Sequence, residues 1–587
     1  MRRLPLILPL LALLCGCATI DETHNNAPAP TTADVPVEVG IIALNDFHGA
    51  LEPPKLAISI KGNAGEHGDL PAGGAAWLAE AVKELRSQYK NALTVSAGDL
   101  TSASQLSSSL FLDEPSVGVM NRIGLDFNAV GNHEFDRGAK ELQRLQNGGC
   151  EKNSIRQPCA VEPNFLGASY HYLAANVVKQ DGQTLFPGTA LRSFGAGASK
   201  VTIGLIGLTL KGTPALVSPD GVTGLTFKDE ADTINKATAS LKAQGAEAVV
   251  VLIHQGLDPA PQNDPNSCDG AAGDLLPIIN KLKPGVDVMI SGHTHRAYIC
   301  QLPQPGTSQP LLVTSAGKYG TILTDIRLMI DPKTGKLLSR DAHNVVVQSQ
   351  AFQEGSKSYT VDNRFPHFTP DKVVADYVGL YTKAAQQFSA RKVGTLAGIA
   401  EKDPNNPARG GTLGRLIADS ELAATRSAGA QIAFMNPFGI RATLAPAPDG
   451  TVTFADIYKV QPFSNGLITF TLTGREVKQL LEQQFDSEGP MQVLSPSQGF
   501  HFTYDLSRKE GDRITSMTLN GSAINPTSTY RITTNSFLAS GGDSFTVFEK
   551  GQDKVTGENE LIAFEKWLTG AKPRALPEKP RAIDETH

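Results

Sequence analysis

Five short segments of this chain carry the residue types that hold borderline metal ions. They are Asn45-Asp46-Phe47-His48-Gly49, Gly98-Asp99, Gly131-Asn132-His133-Glu134-Phe135-Asp136, His254-Gln255-Gly256 and Gly292-His293-Thr294-His295. The chain has 12 histidines, and five of them fall in these segments. Carboxylates, imidazoles and one amide oxygen suit Zn²⁺, Mn²⁺ or Co²⁺ better than Ca²⁺, which prefers all-oxygen shells. Two such cations held roughly 3.5–4 Å apart clamp a phosphoryl group and make water a nucleophile at neutral pH. The candidate ligands are Asp46, His48, Asp99, Asn132, His254, His293 and His295. Asp99 stands alone after its apolar run, and its two oxygens make it the natural bridge between cations. Asn132 offers a neutral oxygen, which limits the negative charge placed on the metals. Taken singly, each segment has a bland alternative as a turn, a helix cap or a surface loop. Five in one stretch of chain, each behind an apolar run, weigh against those alternatives.

His133 and Asp136 form a second constellation. Adjacent side chains point in different directions, so His133 need not bind metal where Asn132 does. Asp136, three residues on, can face His133 at a strand-to-helix turn. There it orients the imidazole and favours its charged form. Such a histidine stabilises phosphoryl charge or protonates a leaving oxygen. The alternative for Asp136 is a cap on the helix start.

These residues need elements to position them. The apolar runs Val37–Leu44, Ala92–Ser96, Phe127–Val130, Val201–Leu208, Ala246–Ile253, Val286–Ile290 and Leu311–Thr314 read as buried strands. Ala75–Gln88 and Asp229–Gln244 carry helical spacing between them. This is α/β architecture, and five of the runs lead directly into a motif, at strand carboxyl ends where α/β sheets place ligands. The pattern fades from about Gln350. Thr369-Pro370-Asp371 then reads as an N-cap, a first-turn proline and a first-turn acid, opening a connector helix over 369–391 with Val374, Val378, Tyr381, Ala385 and Phe388 on one face. A second, α+β domain follows over 392–570, with strands near Gln431–Met435, Gly466–Leu472 and Tyr530–Thr534, and then a Pro- and charge-rich tail, 571–587.

At 587 residues, with 40% apolar and 19% charged residues and a formal net charge of −6, the chain has length for two domains and no basic run to hold a nucleic-acid polymer. Arg2 and Arg3 precede the apolar run Leu4–Leu14, too short to span a bilayer. Leu14-Cys15-Gly16-Cys17 resembles a bacterial lipobox, which makes 1–17 a signal peptide with Cys17 lipidated and 18–38 a flexible tether. The alternative is a plain secretory signal cleaved nearby. The expectation is an exported, monomeric protein anchored through lipid, at the periplasmic side of the outer membrane. Cys150, Cys159, Cys268 and Cys300 remain, an even number that suggests two disulfides in an oxidising compartment. Of the three connectivities, Cys150–Cys159 and Cys268–Cys300 are favoured, the first closing a short loop. The string Ile-Asp-Glu-Thr-His occurs at 20–24 and again at 583–587, and nothing in the composition accounts for it.

The motif set resembles the calcineurin-like metallophosphoesterases over 39–350, and the chain after the tether is similar to the bacterial 5′-nucleotidase / UDP-sugar hydrolase family. The resemblance implies a four-layer α/β/β/α metallophosphoesterase domain joined by a helix to a smaller α+β substrate-binding domain. It also implies Asp46, His48, Asp99 and His295 on one metal; Asp99, Asn132, His254 and His293 on the other; and His133 with Asp136 as the catalytic pair. Some members carry Gln where this chain has His295.

Three further stretches resemble that family's nucleoside pocket: Asn436-Pro437-Phe438-Gly439-Ile440-Arg441, Gln461-Pro462-Phe463-Ser464-Asn465, and Asn535-Ser536-Phe537 with Gly541-Gly542-Asp543. The resemblance implies Phe463 and Phe537 around the base, Asp543 on ribose hydroxyls, Arg441 on phosphate, and Asn436 and Asn465 as polar contacts. Aromatic faces stack on any nucleobase and an arginine fork fits phosphate oxygens. The alternative for both phenylalanines is ordinary core packing. Pro437 and Phe438 stand where the family has glycines. Arg409 is the nearest candidate for a further phosphate arginine, in a shifted register. The implied activity is removal of phosphate from nucleoside 5′-monophosphates, with UDP-sugars as further substrates. The alternatives are a 2′,3′-cyclic-nucleotide 2′-phosphodiesterase/3′-nucleotidase and a non-catalytic nucleotide-binding lipoprotein.

Overall fold

The computed structural model describes residues 35–61, 67–153, 156–217, 219–260, 264–354, 357–463, 465–486, 491–569 and 573–586. The signal segment, Cys17 and nearly all of the expected tether lie outside the described residues.

Two six-stranded sheets form the first domain. One runs 336–346, 322–331, 37–44, 92–96, 127–129, 171–173 in spatial order; the other runs 297–302, 311–316, 288–291, 248–254, 201–209, 189–194. Strand alternation explains why they stack. Val39, Ile41 and Ala43 point into a core shared with Val250, Leu252 and Ile290 of the other sheet, whereas Ile42 and Leu44 point outward to helix Ala75–Ser87. Helix Glu230–Ala243 covers the outer face of the second sheet. The result is four layers, α/β/β/α.

Register places the motifs. Strand Val37–Leu44 pairs in parallel with Ala92–Ser96, Leu44 opposite Ser96. Ala248–His254 pairs in parallel with Val288–Ser291, Ile253 opposite Ser291. Parallel neighbours end together, so Asp46, Asp99, Asn132, His254 and His293 emerge along one rim. Both expected disulfides are formed, Cys150–Cys159 and Cys268–Cys300.

Two expectations are corrected. The connector helix spans Lys372–Ser389, and its N-cap is Asp371, whose carboxylate accepts from the Val374 N–H, in place of Thr369. Asp at this position sits free of the helix while its short side chain reaches back. The helix is also packed firmly on the first domain: Val374, Tyr377, Val378 and Tyr381 join its outer core, while Phe388 faces solvent. The second correction concerns the tail. Ala582–Asp584 is a strand, paired in parallel with Phe500–Tyr504 at the edge of a four-stranded sheet. Arg581, nearly buried, ion-pairs with Asp419, and Arg415 donates to the carbonyls of Pro577 and Glu578. The tail is part of the second domain, whose larger sheet has five strands in the order 495–496, 432–435, 529–535, 466–473, 552–559.

The domains touch near the site. The Tyr458 hydroxyl donates to Ser109 Oγ across the interface, and Leu106 of the first domain sits in a core built mainly from the second.

Candidate dimetal active site

All seven expected ligands converge. Asp46, His48 and His295 form one cluster; Asp99, His254 and His293 form another. Asp99 Oδ2 lies 3.0 Å from His254 Nε2 and 3.7 Å from His48 Nε2, so one carboxylate oxygen faces both clusters. Asn132 Oδ1 lies 3.1 Å from His254 Nε2 and 3.0 Å from His293 Nδ1, which adds the amide to the second cluster. Five of these residues, Asp46, His48, Asp99, His293 and His295, hold positive φ. Such conformations are uncommon outside glycine and persist where the surroundings enforce them.

The surroundings can be named. Asn45 Nδ2 donates to Asp46 Oδ2 and to the Gly317 carbonyl, fixing the first candidate ligand. The Asp99 side chain accepts at Oδ1 from the His133 N–H, which leaves Oδ2 for the clusters. His48 Nδ1 lies 2.9 Å from the Ser102 carbonyl, and His254 Nδ1 lies 2.8 Å from that of Ala97. Each Nδ1–H therefore donates to backbone and turns an Nε2 lone pair inward. Inward-facing lone pairs beside carboxylate and amide oxygens are a donor set that fits divalent cations. Gly131 is required by crowding: a Cβ there would stand 2.1 Å from Asp99 Oδ1.

His133 Nδ1 lies 2.8 Å from Asp136 Oδ2. Burial disfavours the charged imidazole, but the Asp136 and Asp99 carboxylates outweigh it and hold its pKa above the ordinary value. The short helix His133–Phe135 presents this pair to the cavity.

The cavity measures about 580 Å³ and is walled by both domains. Asn132, His133 and His295 line one side; Arg441, Phe463 and Phe537 line the other. Asn436, Asn465 and Asp543 also line it. Asp543 accepts from Asn436 Nδ2 at 2.8 Å and Gln492 Nε2 at 2.9 Å. Asn465 donates through its backbone and its amide to the buried Glu560. The Arg441 guanidinium lies 5.7 Å over the Phe463 ring.

Arg409 does not reach this cavity. Its guanidinium is bound by Asp584 of the tail strand at 2.6 Å, and it is not among the residues that line the cavity. The register shift seen in the sequence is thus a real change of position. Lys318 and Lys402, which the motif reading missed, do line the cavity. Burial lowers the pKa of each, and Arg441 nearby lowers it further, so the cations share one region. Lys318 carried a usable signal, since it follows strand Leu311–Ala316 at the same rim. Glu134 was also passed over. Its buried carboxylate accepts the N–H groups of Asp99, Leu100 and Gly131, which ties two motif loops together.

Fold and site together define a metal-dependent phosphohydrolase with a divalent dimetal centre. Residues 40–297 match the calcineurin-like phosphoesterase family, and residues 392–550 match the 5′-nucleotidase C-terminal domain. The chain carries both domains and belongs to the 5′-nucleotidase family. It is 30% identical over 535 residues to "Endonuclease YhcR" of Bacillus subtilis (strain 168), covering 90% of this chain and 39% of that protein. It is 26% identical to "Probable 5'-nucleotidase" of Treponema pallidum (strain Nichols), covering 91% and 89%. Among solved structures, a 5′-nucleotidase precursor from Thermus thermophilus superposes with a TM-score of 0.71 at 24% identity, covering 93% of this chain and 99% of that one, a likeness of fold.

Proposed function

We propose that this chain removes phosphate from nucleoside 5′-monophosphates and accepts UDP-sugars as further substrates. The observation that carries the reading is the single cavity in which His133 and the dimetal clusters face Arg441, Phe463 and Phe537. Two divalent cations, when bound by Asp46, His48, Asp99, Asn132, His254, His293 and His295, supply Lewis-acid polarisation of the phosphoryl group and a lowered pKa for water. The remaining work falls to side chains. His133, oriented by Asp136, donates toward the phosphoryl or leaving oxygen. Arg441, with Lys318 and Lys402, binds phosphate charge. Phe463 and Phe537 hold the base by its faces, and the Asn436–Asp543 pair meets the ribose hydroxyls. Asn465 holds the Phe463 loop through Glu560. A cavity of this size, with a net charge of −6, favours a single nucleotide over a polymer.

Export and anchorage through Cys17 belong to the same proposal. Two disulfides support an oxidising compartment. The test is hydrolysis of a panel of AMP, 3′-AMP, cyclic AMP isomers and UDP-glucose, with Zn²⁺, Mn²⁺ and Co²⁺ in turn. Preference for 5′-monophosphates is expected. Preference for cyclic or 3′ substrates overturns the reading, and metal binding without phosphate release leaves a nucleotide-binding protein.

A further inference from the structure

The tail strand is held by its backbone and by three successive polar side chains. Ile583 pairs opposite Thr503 and Asp584 opposite Tyr504. The Glu585 N–H donates to the Tyr504 carbonyl at 2.8 Å. Asp584 takes the Arg409 guanidinium at 2.6 Å. Glu585 Oε2 accepts from Thr515 Oγ1 at 2.7 Å, and Thr586 Oγ1 accepts from the Leu506 N–H at 2.8 Å. Every described polar side chain of this segment is therefore engaged, and the Ile583 side chain points outward, 45% exposed. The same five residues, Ile20-Asp21-Glu22-Thr23-His24, stand in the same order near the amino end of the sequence, outside the described residues.

We propose that the edge of strand Phe500–Tyr504, flanked by Arg409 and Thr515, is a recognition site for the sequence Ile-Asp-Glu-Thr-His, and that Ile20–His24 is its second occupant, exchanging with the tail. An edge strand binds an added segment through main-chain hydrogen bonds and gains specificity from side-chain contacts beside it. The second copy offers the same residue types in the same order: Asp21 would meet Arg409, Glu22 would meet Thr515, and Thr23 would meet the Leu506 N–H. Vacating the edge would leave those N–H and C=O groups and the Arg409 charge without their partners, which drives re-occupation. The tail copy has one advantage, because Arg581 before it is anchored on Asp419 whereas Ala18 stands at the corresponding place. The tail is thus the resting occupant. Twelve residues, 25–36, separate the second copy from strand Val37–Leu44 and reach at most about 40 Å. The exchange links the second domain to the amino-terminal segment of its own or a neighbouring chain.

The test uses the full chain with a photo-cross-linking residue at Thr19, the counterpart of the core-packed Ala582, alone and with Asp584→Ala plus Thr586→Ala to loosen the tail. Cross-links to the segment around Thr503 are expected, rising at least threefold in the loosened chain and lost with Asp21→Ala plus Thr23→Ala. Mixing ¹⁴N and ¹⁵N chains tells intrachain from interchain exchange, and either supports the proposal. Cross-links scattered over other surfaces, or indifferent to Asp21 and Thr23, overturn it. Should the loosened chain fail to fold, a peptide of residues 18–26 is added to the unmodified chain with carboxypeptidase. Faster trimming of the tail than with a scrambled peptide supports exchange; equal trimming overturns it.

Discussion

The Phe463 ring of the second domain lies 6.1 Å from the His133 ring of the first, centroid to centroid, with the planes 14° apart. The base-binding candidate and the proton-donor candidate thus face each other directly across the interface. The gap is too small for another ring to enter between them, so a base stacked on Phe463 must use its opposite face or the Phe537 side. Two domains folding independently would not hold two loops at this spacing without contacts such as Tyr458 to Ser109.

Removing the metals comes first among the expectations. Prolonged chelation abolishes phosphate release, and Mn²⁺, Co²⁺ or Zn²⁺ restores it. Asp99→Asn lowers kcat by roughly 10²–10³ or more and reduces the content of both metals, because Asp99 Oδ2 faces both clusters. Elemental analysis with a phosphate assay checks this; a variant with full metal content and normal turnover contradicts it.

His133→Ala lowers kcat by roughly 10²–10⁴ while metal content stays level. Its Nδ1 is taken by Asp136 at 2.8 Å, and it belongs to neither ligand cluster. Loss of metal on this substitution would make His133 a ligand.

Phe463→Ala and Phe537→Ala each weaken nucleotide binding by about 1–3 kcal/mol, read as a raised KM for AMP. Hydrolysis of p-nitrophenyl phosphate is spared, since it has no base to stack. Equal losses on both substrates would assign the rings to packing alone.

Gly131→Ala destroys the site without substituting a candidate ligand. Its Cβ would meet Asp99 Oδ1 at 2.1 Å, and the Glu134 carboxylate crowds the other side. Metal content and turnover fall together; a fully active variant would show that the loop can yield.

Glu560→Gln changes how stability depends on pH. Burial pushes the Glu560 carboxyl from 4.5 up to about 7. A raised carboxyl pKa means that the folded state holds its proton longer, so stability is complete below about 4.5 and falls as pH rises toward 7. The unsubstituted protein therefore loses up to about 3 kcal/mol relative to Glu560→Gln across that window. The amide fits, because Gln461 Oε1, buried without a partner, can accept from it once Gln461 turns. Denaturant melts at pH 5 and pH 8 check the sign; parallel curves refute it.

The sequence by itself determined the first domain's rim. Gly, Asn and Asp after apolar runs mark strand ends, and strand parity plus parallel pairing carry those ends to one line, as Asp46, Asp99 and His254 demonstrate. These signals are local, so they survive without coordinates. The disulfides were legible because, of the four cysteines after Cys17, two lie nine residues apart, Cys150 and Cys159. Tertiary structure alone decided which cations reach the cavity. Arg409 had the residue type and the approximate place, yet Asp584, 175 positions away in sequence, claims it. Lys318 and Lys402 come from different domains and meet only because the interface closes. Tail residues 582–584 are only Ala-Ile-Asp behind Pro577 and Pro580, too short a stretch for periodicity to announce a strand; pairing with Phe502–Tyr504 makes them one. A long-range contact is set by the packing of whole layers, and no window of neighbouring residues contains it.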